Sequence, residues 1–128
     1  MKYLIVLILI MTTITSQADA QKKQSSDKLL KHIVLFKFKE SASPEDVKKV
    51  EDAFRALPAK VNEVKGFEWG LNNSPENLND GFTHCFQVTF TSEKDRDVYL
   101  PHPAHKAFVE VLKPYLEKAL VVDYWAGK

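Results

Sequence analysis

The sequence predicts one α+β domain, and three observations carry that prediction. Short runs rich in Val, Phe and Thr alternate apolar and polar residues, the period of half-buried strands. Between them lie stretches with apolar residues at helical spacing, each opened by a Ser with an acid three residues on. Finally, 128 residues, 45% hydrophobic and 27% charged, suit a single globular domain rather than a disordered chain.

The first segment reads as an export leader. Met1-Lys2 is a minimal basic start, Tyr3 to Met11 an apolar run, and Ala18-Asp19-Ala20 a small-x-small cleavage pattern. The run is short of the roughly 20 residues that cross a bilayer. Residues 1–20 are therefore expected to be removed, leaving an exported protein, periplasmic or secreted, without a stable membrane anchor. Residues 21–30 read as a flexible polar lead-in, and 31–128 as the domain.

Within the domain, His32 to Lys39 (HIVLFKFK) forms the first strand, with His32, Val34, Phe36 and Phe38 on one face and Ile33, Leu35 and Lys37 on the other. Ser43-Pro44-Glu45-Asp46 starts a helix: Ser43 caps, Pro44 takes the first turn, and Asp46 completes a capping box. Val47, Val50, Phe54, Leu57 and Val61 continue at helical spacing, and Pro58 ends or kinks the run. Val64 to Asn72 is the second strand. Asn73 to Gly81, rich in Asn, Pro, Asp and Gly, is a loop by composition. Phe82 to Thr91 is the third strand, with His84, Phe86, Val88 and Phe90 together and Cys85, Gln87 and Thr89 opposite. Ser92 caps a short helix reaching Leu100, with Asp95 placed for a second capping box. Pro101-His102-Pro103 interrupts it, and a further helical segment runs from Pro103 towards Pro114. Leu120 to Trp125 closes the chain as a fourth strand.

The order β-α-β-β-α-β implies a ferredoxin-like layer, a four-stranded antiparallel sheet with its helices on one face. The other face carries Ile33, Leu35 and part of the last strand, too apolar to leave in water. A second copy is the simplest cover, so a homodimer through that face is expected, a dimeric α+β barrel. The net charge of +1 argues against nucleic acid as a partner. The single cysteine excludes an intramolecular disulfide and a cysteine-based zinc site; Cys85 reads as a small buried hydrophobe.

Four histidines, His32, His84, His102 and His105, are the chemically distinctive feature. The stripe His105, Phe108, Leu112, Leu116 faces inward by periodicity, and His32 and His84 share strand faces with large apolar residues. Three imidazoles are therefore expected to approach one cavity, with Tyr99 at its mouth. A histidine in an apolar stripe also has a plain structural reading as a hydrogen-bonded core residue, and His102 one as a helix cap. His102-x-x-His105 lacks zincin spacing and an accompanying carboxylate, so neither a metal nor another cofactor is expected.

His32 to Lys39, Phe67-Glu68-Trp69-Gly70, Gly81-Phe82-Thr83-His84 and Tyr99-Leu100-Pro101-His102-Pro103-Ala104-His105 resemble the stress-responsive dimeric α/β-barrel family over about residues 31 to 125. The resemblance implies the ferredoxin-like fold and a barrel made by two chains. Most members have no settled reaction, and one plant branch contains a polyketide cyclase acting by aldol condensation. Carried over, His105 is the general base and Tyr99 the oxyanion support. His32, Val34, Phe36, Phe86, Leu100, Phe108 and Leu116 line the cavity. The leading expectation is a binder of a small apolar or amphipathic ligand; an enzyme of the cyclase or lyase type is the alternative.

Overall fold

In the computed structural model, residues 28–127 are described. The expected leader, and the lead-in up to residue 27, lie outside them.

Strand β1 (Leu29–Phe38) leads into helix α1 (Pro44–Arg55), then a 3-10 turn at Leu57–Ala59 and strand β2 (Gly66–Leu71). Strand β3 (His84–Phe90), helices α2 (Glu93–Tyr99) and α3 (Pro103–Leu112), and strand β4 (Leu116–Ala126) complete the chain. The sheet order is β2-β3-β1-β4, with every pair antiparallel. This is the ferredoxin-like topology that the element order implies.

Local signals place the helices. The Ser43–Asp46 capping box forms in full and satisfies two of the first-turn donors of α1. The Ser43 bonds also hold the Asp46 carboxyl below its usual range. At α2 only half of the second box forms: Ser92 accepts from the Asp95 amide, while the Asp95 carboxylate takes the Thr91 hydroxyl. Pro58 ends the first helix in the 3-10 turn, and His102 caps α3, its Nδ1 accepting the Ala104 amide at 3.0 Å. In the β2–β3 connection, Asn77, Asp80 and Gly81 have positive φ, a conformation these residue types tolerate best.

Strand ends differ from the sequence expectation. β1 begins at Leu29, and Leu30 is buried in the core, so the last residues of the expected lead-in belong to the sheet. β2 and β3 are shorter than their apolar runs. β4 is longer than LVVDYW, starting at Leu116 and pairing with β1 along nearly its whole length. Leu116 therefore lies in a strand and does not extend the α3 stripe.

The core lies between the sheet and the helices. Leu30, Val34 and Phe36 of β1 and Phe86, Val88 and Phe90 of β3 meet Val50, Phe54, Phe108 and Leu112 of α1 and α3. Burying these apolar surfaces supplies the main driving force for folding. The other sheet face, with Ile33, Leu35, Cys85, Leu120, Val122 and Tyr124, has no helix over it among the described residues. Edge strand β4 is exposed on both sides: Val121 and Val122 are each 52% accessible. Cys85 is exposed on this uncovered face rather than buried, because its place in β3 points it away from the helices. Partial burial, with Glu68 nearby, pushes its thiol pKa up, which suppresses the reactive thiolate.

Candidate functional site

Two of the three imidazoles expected to converge do so. β1 and β3 pair with His32 opposite Val88 and Phe36 opposite His84. That register puts His32 and His84 four residues apart along the sheet, roughly 13 Å at strand rise. His84 is therefore the correction: it shares the helix-side face with His32 but lies at the other end.

At the first end, α2 finishes with Tyr99, and the break at Leu100–His102 turns the chain into α3, which brings back His105. The Tyr99 and His105 rings are 4.5 Å apart, and the Tyr99 and His32 rings 6.1 Å. Phe90 packs edgewise against His32 and tilted against Tyr99. Tyr99 is 1% exposed, and its hydroxyl is buried without a hydrogen-bond partner among the described residues. Burial pushes the phenol pKa up, so the group stays protonated and is a donor in search of an acceptor.

Both imidazoles here have one nitrogen committed. His105 Nδ1 lies 2.8 Å from the Leu100 carbonyl oxygen, which only accepts; Nδ1 therefore donates, and Nε2 carries the lone pair in the neutral ring. Burial, against the Leu100 hydrogen bond that raises it and helped by the neighbouring His32 and His102, pushes the His105 pKa down, which favours the neutral ring. His32 Nδ1 lies 2.7 Å from Asp123 Oδ1, again an acceptor only, so its Nε2 points away from β4. Arg96 Nη1 holds the other Asp123 oxygen at 3.0 Å. The end thus presents one phenolic donor and two uncommitted imidazole nitrogens, of which His105 Nε2 accepts in the neutral ring, beside an apolar wall.

At the far end, His84 is satisfied on both sides. Its Nε2 donates to Glu51 of α1 at 2.9 Å, and its Nδ1 is 2.8 Å from the Thr83 hydroxyl. Trp69 stacks on it nearly parallel, at 6.0 Å, and Phe38 meets it edge-on. These contacts make His84 a buried structural group.

The remaining site residues named from the sequence divide by place. Phe36, Phe86 and Phe108, together with Phe54, form one aromatic stack with centroid separations from 4.4 to 6.5 Å. Their rings fill the middle of the layer. Val34 is buried beside them, and Leu116 is half-buried at the start of β4. Leu100 is 41% exposed, and it enters the site through its carbonyl, which accepts from His105 Nδ1.

Cavities among the described residues lie away from Tyr99. One of about 300 Å³ opens on the uncovered sheet face beneath the β2–β3 connection, against Leu35, Leu71, Phe82 and Cys85. Another of about 120 Å³ sits between α1 and α3 at Ala53, Ala104, Ala107 and Phe108. Among the described residues, no group of three or more His, Cys, Asp or Glu side chains is placed to hold a metal ion.

Sequence reasoning missed Asp123, Arg96 and Glu51, the charged partners of the two buried imidazoles. For Asp123 a signal existed: it is a lone carboxylate inside an apolar strand, on the face shared with the helices. Arg96 and Glu51 lie in helices crowded with charge, and their pattern resembles a solvated surface.

Comparison with known proteins matches residues 30–126 to the stress responsive A/B barrel domain. The chain is 38% identical over 95 residues, 74% of its length and 87% of the relative's, to stress-response A/B barrel domain-containing protein HS1 of Arabidopsis thaliana. It is 30% identical over 99 residues, 77% of its length and 98% of the relative's, to olivetolic acid cyclase of Cannabis sativa. Among solved structures, a dimeric protein of unknown function with a ferredoxin-like fold from Bacteroides fragilis superposes with a TM-score of 0.62 and 32% identity. That match covers 75% of this chain and 94% of the other.

Proposed function

Because the chain belongs to the stress responsive A/B barrel domain family, we propose that it is an exported homodimer binding a small, mostly apolar molecule at the Tyr99–His105–His32 end of each protomer. The observation that carries this reading is the Tyr99 hydroxyl, a buried donor with no acceptor among the described residues. Leaving such a group unpaired costs about 1–3 kcal/mol, which a ligand oxygen would recover. The preferred occupant carries a carbonyl or hydroxyl oxygen for Tyr99 and an apolar body for the wall of Phe90 and Phe108. The uncovered sheet face and the exposed β4 edge are the surfaces for the second copy, in keeping with the dimeric Bacteroides relative.

A second reading, an enzyme, is favoured by the pinned His105. With Nδ1 donated to Leu100 and a lowered pKa, its Nε2 is positioned as a general base. In such a step Nε2 takes a proton from the carbon next to a carbonyl, and the electron pair of that C–H bond becomes an enolate. Tyr99 donates a hydrogen bond to the enolate oxygen. Olivetolic acid cyclase is a relative whose name states an enzymatic activity.

Native mass spectrometry of the purified protein with 4-hydroxyacetophenone as probe tests the first reading. A dimer carrying probe, with adduct lost in Tyr99→Phe, is the expected result; a monomer at micromolar concentration, or binding indifferent to Tyr99→Phe, overturns it. For the second, deuterium uptake into the probe's methyl group in heavy water is followed by NMR. Equal uptake with native protein and His105→Ala removes His105 from any catalytic role.

A further inference from the structure

His32 and His105 are each oriented by a partner that leads back to one residue of α2. The Arg96 carbonyl accepts the Leu100 amide at 3.0 Å, and the Leu100 carbonyl accepts His105 Nδ1 at 2.8 Å. The Arg96 guanidinium reaches across to β4 and holds Asp123 Oδ2 at 3.0 Å, while Asp123 Oδ1 holds His32 Nδ1 at 2.7 Å. Arg96 and Asp123 are both partly buried. Tyr99 stands three residues after Arg96, at the end of the same helix.

We propose that Arg96 is a positioning residue for this site. Its guanidinium locks the Asp123 carboxylate in the orientation that accepts the His32 Nδ1 proton, and so aims His32 Nε2 into the interior beside Tyr99. The physical need is clear from Asp123's place on an edge strand. With His32 as its only partner, one carboxylate oxygen would turn to water and the group would be free to rotate about its side-chain bonds. A guanidinium at the second oxygen removes that freedom with a charge-assisted bond. The same contact ties the helix that carries Tyr99 to the strand beside His32, so the phenol and the imidazole are set by one ion pair. The role rests on the site reading above, because His32 needs a fixed Nε2 only if something binds against it.

Nitrogen-15 NMR of the imidazole rings tests the inference without a ligand. Native protein should show His32 and His105 both protonated on Nδ1. In Arg96→Met, which keeps the apolar stem, His32 should become a mixture of tautomers while His105 and His84 keep their native signals. Arg96→Lys, which returns a cation, should restore the His32 pattern at least in part. A His32 signal unchanged in Arg96→Met overturns the proposal, and so does a joint change of all three histidines, which would mark a merely structural residue. Should Arg96→Met fail to fold, the same spectra of Arg96→Ala decide between the same outcomes.

Calorimetry with 4-hydroxyacetophenone separates this inference from the reading beneath it. About tenfold weaker probe binding is expected for Arg96→Met, the equivalent of one lost hydrogen bond to the probe. Native protein that binds no probe, with the His32 spectrum still responding to Arg96, removes the ligand reading and leaves Arg96 only as the group that orients the His32 ring. Native protein that binds probe equally well with and without Arg96 removes the positioning role alone.

Discussion

The two ends of the layer between sheet and helices make a natural experiment. Each end holds a buried histidine on the same sheet face, oriented by a carboxylate from another element. At the His84 end every polar atom of the ring has a partner, and aromatic rings cover it on two sides. At the Tyr99 end, among the described residues, the imidazoles have one nitrogen committed and one uncommitted, and a buried hydroxyl has no protein partner. Burial of a histidine is therefore no sign of function in this fold. What separates the ends is unsatisfied hydrogen-bonding capacity, which a finished core eliminates and a binding site retains.

The largest expected effect falls between the ends, on the stack that fills the middle. Phe86 lies 4.4 Å from Phe54 and 5.3 Å from Phe36, and is fully buried. Phe86→Ala should cost about 3–5 kcal/mol through lost burial and the cavity it leaves. Urea denaturation measures it. A loss below about 1 kcal/mol would mean that the rings can collapse into the gap, and the middle could then no longer be treated as solid packing. Next in size is Glu51→Ala, which leaves His84 Nε2 buried without its acceptor and should cost about 1–3 kcal/mol. Glu51→Gln, which retains an acceptor oxygen, should recover much of the loss. If neither substitution matters, the His84 end is not the satisfied structural site that the comparison requires.

How much of this contrast was legible in the sequence depends on the residue. Period and capping place α1 through Ser43, Pro44 and Asp46, because those signals are local and the structure has nothing stronger to set against them. The alternation of β3 likewise puts His84, Phe86, Val88 and Phe90 on the buried face. Tyr99, His105 and His32 could be named together because the YLPHPAH stretch and the first-strand histidine are shared with a known family. The separation of His84 from His32 was not legible: both alternate correctly, and only the pairing of His32 with Val88 decides which end each occupies. Nor was the start of β4, since Leu116 continues a helical period across a break at Pro114 that ends the helix. Asp123 and Arg96 meet across 27 residues, a contact that tertiary packing creates and no local pattern encodes.

A smaller effect comes from pH. Burial lowers the His105 pKa in the folded protein, whereas the unfolded chain titrates near the ordinary value of 6.5. Between the two values the unfolded state binds more protons, so stability rises with pH there. The contribution is complete above about pH 6.5 and is lost as pH falls from that value towards the lowered folded pKa. Comparing unfolding free energies of native protein and His105→Gln from pH 7.5 to 5 isolates it: native stability should fall more steeply on acidification. Parallel curves would mean that His105 is no drier than in the unfolded chain, and its Nε2 would lose its claim to be a poised base.

The smallest expected stability change is the most discriminating. Tyr99→Phe removes one oxygen and keeps the ring packed against Phe90, His32 and His105. For a tyrosine whose hydroxyl is bonded within a core, that substitution leaves a partner stranded and destabilises. Here the hydroxyl is itself the stranded group, so its removal should leave the melting temperature unchanged or raise it by a few degrees, since about 1 kcal/mol shifts a domain of this size by some 4–8 °C. The same substitution should abolish the binding of 4-hydroxyacetophenone that native protein shows. Stability kept and binding lost is the combination expected of a group held in readiness for a ligand. A fall of several degrees would show that the hydroxyl is already satisfied in the empty protein, by ordered water for instance. The Tyr99 end would then be as complete as the His84 end, and the difference on which the functional reading stands would disappear.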